Sequence, residues 1–188
     1  MFDIIYADPP WDYKGQRQHT DGGATDTGGA STHYPTMRLS ELKRLDVQSI
    51  AAADSLLFLW VTNPHLDQGI ELLKSWGFQW ATVGFVWDKQ RVNPGFYTMS
   101  QVELCLIGKR GRIPQPRGAR NVRQLVSSRR GRHSAKPESI RRYIETMFPT
   151  QRRIELFARP LPPDLFERRS DWATWGNEAD PTINIGWR

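Results

Sequence analysis

A three-layer α/β domain with a mainly parallel sheet is the fold this 188-residue sequence predicts. Short apolar runs suited to buried strands recur along the chain, stretches with helical apolar spacing lie between them, and Gly or Pro punctuates the boundaries. The length suits a single domain over residues 1–188, with a core that needs neither metal nor disulfide. No internal repeat is visible.

Taken in order, Phe2, Ile4, Ile5, Tyr6 and Ala7 make a first strand. Pro9 and Pro10 cannot continue a sheet, so the chain turns out at Asp8. Residues 14–36 are rich in Gly, Thr, Ser and Asp and lack apolar periodicity, which predicts a mobile loop over the site that follows the strand. Ser40 is the expected N-cap of a helix burying Leu42, Leu45 and Val47. The continuous apolar run 56–61 predicts a strand covered on both faces. Leu66, Ile70, Leu73 and Trp76 fall at helical spacing, and Gly77 stands at the C-terminal cap. Strands are expected at 78–87 and 102–107, joined by a polar loop over 88–100. A long basic loop follows, with a short strand at 122–126. Pro137 is expected to be the first residue of a helix facing Ile140, Tyr143, Ile144 and Met147 inward, and Pro149 stops it. Strands at 153–158 and 172–175 complete the sheet.

Composition removes several classes of function. Cys105 is the only cysteine and lies in an apolar run, so a buried inert thiol is expected, and disulfides and cysteine zinc sites are excluded. His19, His33, His65 and His133 show no metal-ligand spacing and read as surface or loop residues, so no metal is expected. The chain opens directly on a strand and has no membrane-length apolar run, so neither signal peptide nor transmembrane helix is expected and the compartment is cytoplasmic. Trp60, Trp76, Trp80 and Trp87 fall in regular elements and read as core.

The formal charge is +6, unevenly spread. Residues 109–133 hold nine Lys or Arg and no acid; setting these nine apart from the 26 leaves 17 basic against 20 acidic residues. One stretch thus carries the whole positive balance, mostly as arginine, whose planar fork suits phosphate. Nucleic acid is the predicted partner.

Asp8-Pro9-Pro10-Trp11 is the sharpest chemical feature. In open α/β sheets ligands bind at the carboxyl edge of the strands. There the Asp8 carboxylate and the Pro9 carbonyl can each accept one N–H of an exocyclic amine, and Trp11 offers a face for stacking. Proline lacks an N–H, so its carbonyl is expected to point in a fixed direction without a competing local donor.

Together with Asp8-Pro9-Pro10-Trp11, the segments Tyr34-Pro35-Thr36-Met37, Leu57-Phe58-Leu59-Trp60-Val61-Thr62, Glu103-Leu104-Cys105-Leu106-Ile107-Gly108, His133-Ser134-Ala135-Lys136-Pro137, Ile154-Glu155-Leu156-Phe157-Ala158-Arg159-Pro160 and Trp175-Gly176-Asn177 resemble the DPPW-type adenine-N6 methyltransferases. That family includes the catalytic subunit of the eukaryotic messenger-RNA methylase and its bacterial and phage relatives. The resemblance covers nearly the whole chain. It implies a Rossmann-like fold that binds S-adenosylmethionine, yields S-adenosylhomocysteine, and places the catalytic motif before the cofactor strand. It implies that Asp8 and Pro9 hold the amine on the Pro10 elbow, that Trp11 stacks on the base and that Tyr34 closes over it. Glu103 matches a residue near the acceptor adenosine, and Ser134, with the arginines Arg129, Arg130 and Arg132 of the basic loop, belongs to the substrate side. Lys136 matches a lysine that reaches the cofactor carboxylate. Arg159 and Asn177 match ribose contacts, while Glu155, Leu156 and Glu178 match residues lining the cofactor pocket, next to Asp8.

Departures accompany the resemblance. Ala158 stands where glycine is frequent, Leu161-Pro162 where His-Asn is frequent, and Glu178 where glutamine is common. The upstream segment that helps hold the cofactor's adenine in longer relatives is expected to be missing. Three functions follow in order of preference: DNA adenine-N6 methylation on a flipped or single-stranded base, RNA adenine-N6 methylation, and nucleic-acid binding by a catalytically silent partner. A homodimer is possible by resemblance.

Overall fold

The computed structural model describes residues 1–12, 36–94, 97–129, 135–158, 171–176 and 181–188. They form one seven-stranded sheet, flanked by four helices. The strands are β1 (Phe2–Ala7), β2 (Ala51–Val61), β3 (Gln79–Asn93), β4 (Ser100–Arg110), β5 (Leu125–Ser127), β6 (Arg153–Leu156) and β7 (Trp172–Trp175), ordered β5-β3-β4-β2-β1-β6-β7. Every pairing is parallel except those of β4, which runs against both β2 and β3. The expected mainly parallel α/β sheet, Rossmann-like in its layering, is therefore the observed one.

Side chains alternate between two cores, as the pleat requires. Ile5, Ala7, Leu57, Leu59 and Val61 pack beneath α1 (Leu39–Arg44), α2 (Val47–Ile50) and α3 (Leu66–Ser75). Ile4, Tyr6, Leu56, Phe58 and Trp60 face α4 (Glu138–Met147), meeting Ile140 and Ile144. Leu42, Leu45 and Val47 are buried as expected, and Gly77 closes α3 at φ 83, a left-handed conformation that glycine adopts without steric cost.

Several boundaries differ from the sequence expectation. The N-cap of α1 is Arg38 rather than Ser40; its N–H donates to the Glu41 carboxylate at 2.7 Å, so the acid at the third helical position does the capping. Pro137 is the residue before α4 rather than its first. The loop expected over 88–100 is partly strand: β3 runs to Asn93 and β4 starts at Ser100, and these two residues pair beyond an irregularity that follows the Asp88–Val102 pair. The apolar pattern fades there, and the register shifts between Asp88 and Asn93. Trp80 is 48% exposed rather than core, since β5 pairs only with Val86, Trp87 and Asp88 and leaves the earlier half of β3 at the sheet edge. Cys105 is fully buried, and burial pushes its thiol well up. The loop expected at 14–36 lies, apart from Thr36, outside the described residues.

Candidate active site

The carboxyl edge of β1 is where the functional side chains meet. Asp8 follows Ala7, which lies between Leu59 of β2 and Leu156 of β6. Asp8 has the parity of Tyr6, on the α4 side. Because β4 is reversed, its beginning rather than its end reaches this edge, with Leu104 opposite Val61 and Glu103 one residue beyond. Lys136 enters from the segment before α4.

Lys136 Nζ donates to both oxygens of Asp8 at 2.8 Å and approaches Glu103 Oε2 at 3.3 Å, lying 5.5 Å from the Trp60 ring centroid. Burial alone would depress its pKa; Asp8 and Glu103 outweigh burial and raise it, so the ammonium is charged at any working pH. Burial likewise pushes Glu103 up, but Lys136 and Lys89 overcome it and hold the carboxyl below its ordinary range. Lys89 Nζ stands 3.4 Å from Glu103 Oε1. Beneath them, Trp60 Nε1 donates to the Tyr6 hydroxyl at 2.8 Å, fixing the floor of the site.

The proline elbow crosses the sheet edge. Trp11 belongs to the opposite core, below α1 to α3, is 4% exposed, donates its Nε1–H to the Trp60 carbonyl at 3.0 Å and stacks on His65 at 5.8 Å. The open stacking face expected at Trp11 is therefore absent; the indole anchors the elbow. The Pro9 carbonyl is not free of local donors either, because the Trp11 N–H reaches it at 2.9 Å, leaving one lone pair for a ligand. Pro10 is held in turn by the Met37 N–H at 2.8 Å.

The remaining expected residues divide clearly. Leu156 ends β6 beside Ala7 and is fully buried. Glu155 is buried on the α4 side, where Arg141 Nε donates to its carboxylate at 3.0 Å. After it the chain turns at Phe157 with φ 61, a strained conformation for a non-glycine residue. Arg129 is exposed just past β5, next to Ser128, whose carbonyl and hydroxyl accept the Trp87 Nε1–H at 3.0 Å. Tyr34, Arg130, Arg132, Ser134, Arg159, Asn177 and Glu178 lie outside the described residues.

The basic stretch is not one surface. Lys109 and Arg110 pair with Leu56 and Ser55 at the opposite edge of the sheet from Asp8, and the Arg112 N–H binds Asp54 there. Arg117 lies over the Phe148 ring at 5.1 Å, past the far end of α4. Among the described residues of the stretch, Arg129 follows β5, whose end pairs with Asp88, the neighbour of Lys89.

Sequence reasoning missed Lys89 and His65. Lys89 stands two residues after the buried Trp87, so strand periodicity puts it on the same face. His65 was expected at the surface, yet it is buried, with Nδ1 2.9 Å from the Thr62 hydroxyl; its place immediately after β2, at the edge Asp8 occupies, was the available signal. Desolvation lowers its pKa, which favours the neutral ring beside Trp11.

A carboxylate, a buried lysine and a proline carbonyl thus stand together at the carboxyl edge of an α/β sheet, the place where such folds hold ligands. The family model for MT-A70 matches residues 2–178, and the chain belongs to that family. It is 48% identical, over a 195-residue alignment, to the type II methyltransferase M.MunI of a Mycoplasma species, covering 98% of this chain and 81% of that protein. It is 30% identical over 187 residues to the human N(6)-adenosine-methyltransferase catalytic subunit METTL3, covering 95% of this chain and 28% of that protein. To the Arabidopsis thaliana MT-A70-like N(6)-adenosine-methyltransferase it is 29% identical over 198 residues, covering all of this chain and 25% of that one. The chain thus spans about a quarter of each of these two eukaryotic relatives. Among the described residues no helix is long and apolar enough to cross a membrane, and no cluster of His, Cys, Asp and Glu is arranged to hold a metal.

Proposed function

We propose that this protein transfers a methyl group from S-adenosylmethionine to the N6 amine of adenine in DNA. The observation that carries the reading is the Asp8 carboxylate, fixed by Lys136 beside the Pro9 carbonyl at the sheet edge. The relatives named as N(6)-adenosine-methyltransferases support adenine N6 as the acceptor, and the type II methyltransferase relative supports DNA.

The donor set suits the cofactor. S-adenosylmethionine, when bound, presents a carboxylate, an ammonium and an electrophilic methyl on a sulfonium; Lys136 answers the first by charge, and Asp8 and Glu103 answer the cationic groups. Leu156 supplies an apolar wall at the end of β6.

The adenine amine is a weak nucleophile because its lone pair is delocalised into the ring. Asp8 and the remaining lone pair of the Pro9 carbonyl accept one N–H each, which localises the amine lone pair and aims it for in-line displacement. Asp8 also faces the positive charge that develops on nitrogen, and it takes the proton released afterwards or passes it to water. In a duplex the base is first extruded, at a cost of a few kcal/mol that phosphate contacts from Arg129, Arg130 and Arg132 help offset.

Incubating the protein with labelled S-adenosylmethionine and matched random DNA and RNA pools, then mapping the modified bases, tests the reading. Methyl-N6-adenine in DNA is expected, lost in Asp8→Ala. Modification of RNA alone would move the substrate to RNA, which the adenosine-methyltransferase relatives make the second reading. No modification of either, with nucleic-acid binding retained, would point to a silent binding partner.

A further inference from the structure

Lys89 carries a charge that the chemistry above leaves unused. It is 7% exposed on β3, where a lysine is costly unless its ammonium is paired. Its partner is Glu103 Oε1 at 3.4 Å. The other Glu103 oxygen lies 3.3 Å from Lys136, which donates to both Asp8 oxygens at 2.8 Å. Lys89, Glu103, Lys136 and Asp8 therefore form a row of alternating charge crossing from β3 through β4 to β1, with a net charge of zero.

The row is uneven, and the unevenness has a cause. Lys136 sits closer to Asp8 than to Glu103, and Glu103 is shared with a second cation. Remove the charge of Lys89 and one ammonium must serve two buried carboxylates. Glu103 then competes with Asp8 for Lys136.

We propose that Lys89 is a positioning residue for methyl transfer: by neutralising Glu103 from the β3 side, it leaves Lys136 directed at Asp8 and so fixes the carboxylate that accepts the amine. This rests on the reading of Asp8 as amine acceptor. The charged groups facing Glu103 are Lys136 and Lys89; facing Lys136 are the carboxylates of Asp8 and Glu103 and the neutral, titratable Tyr6 hydroxyl. Glu103 and Lys136 consequently titrate as a coupled pair.

The test is Lys89→Met, with the side-chain carboxyls of Glu103 and Asp8 titrated by carbon-13 NMR and methyl transfer measured against pH. The Glu103 titration and the acid limb of kcat should both move up by about one pH unit, kcat at neutral pH should fall about tenfold, and KM for DNA should change by less than about twofold. Lys89→Arg should restore both the titration and the rate. A fall in kcat with an unshifted Glu103 titration and acid limb would mean a merely structural role and overturn the proposal, as would an unchanged kcat. Should Lys89→Met fail to fold, the pair Glu103→Gln and Glu103→Gln/Lys89→Met decides the matter. Equal kcat in the two supports action through Glu103; a further loss of about tenfold overturns it. Wild-type protein that modifies no nucleic acid would overturn the function itself, a result separate from the Glu103 titration.

Discussion

Replacing Asp8 by asparagine separates its structural task from its chemical one. The carboxylate accepts two hydrogen bonds from Lys136 at 2.8 Å. Hydrogen bonds to charged groups contribute about 1.5–3 kcal/mol each, but asparagine keeps one oxygen in place and Glu103 remains 3.3 Å from the ammonium. The expected loss of stability is therefore only about 1–2 kcal/mol, or roughly 3–6 °C in Tm for a chain of this size. Activity should suffer far more. Lys136 has only donors and claims the single amide oxygen, which turns the asparagine NH2 toward the adenine amine. Two donors then face one another, and the negative charge opposite the developing positive charge is gone. Loss of one such preorganised charge costs about 10²–10³ in kcat. Single-turnover methyl transfer and thermal unfolding of Asp8→Asn would measure the two quantities, with DNA anisotropy as a check that binding is retained. Retention of more than about a tenth of kcat would refute Asp8 as acceptor, and a Tm fall well beyond the expected range would show that the row of charges serves mainly to hold the fold.

The remaining expectations concern charge and backbone. Glu103 is held below its ordinary 4.5, so its contribution to stability is present above that pH and lost as the pH falls through its folded value; Lys136, raised above 10.5, contributes fully below 10.5 and loses it only at higher pH. The stability advantage of wild type over Glu103→Gln should accordingly be flat from about pH 5 to 10 and shrink on acidification below about pH 4.5, and urea unfolding showing no shrinkage would contradict this. Gly77→Ala, which forces a side chain at φ 83 and brings a Cβ within 2.7 Å of Gln48, should destabilise by about 1 kcal/mol in chemical denaturation. Neutralising Arg129, Arg130 and Arg132 together should weaken DNA binding and reduce the salt slope by about 3, whereas neutralising Lys109 and Arg110 at the opposite edge should leave both unchanged. An equal effect from the two sets would show that DNA reaches both edges of the sheet.

The layers of the fold were legible because period-two and helical patterns report burial directly, as the alternation of Ile4 and Tyr6 against Ile5 and Ala7 illustrates. Asp8 and the elbow were legible because prolines after an apolar run can only leave the sheet. What could not be read locally was pairing across the sheet. The reversal of β4 decides that Glu103 rather than the end of that strand reaches the site, and nothing within residues 100–110 announces its direction. The same blindness made the basic stretch look continuous, although the chain carries Lys109 and Arg129 to different edges. Trp11 read as an open plate because its partner His65 is 54 residues away, and no spacing rule links them.

The single reversed strand has one further consequence. Because Glu103 reaches Lys136 only through its register against β2 and β3, the chemistry is keyed to a residue count. A one-residue slip of β4 would send Glu103 through the sheet to the α3 side, and a two-residue slip would carry it about 7 Å along the strand. Insertions within the paired stretch of β4 from Glu103 to Arg110 thus put the active site out of phase. Length changes between Asn93 and Ser100 do not, which makes that turn the place where the chain can vary its outer rim without dismantling its charges.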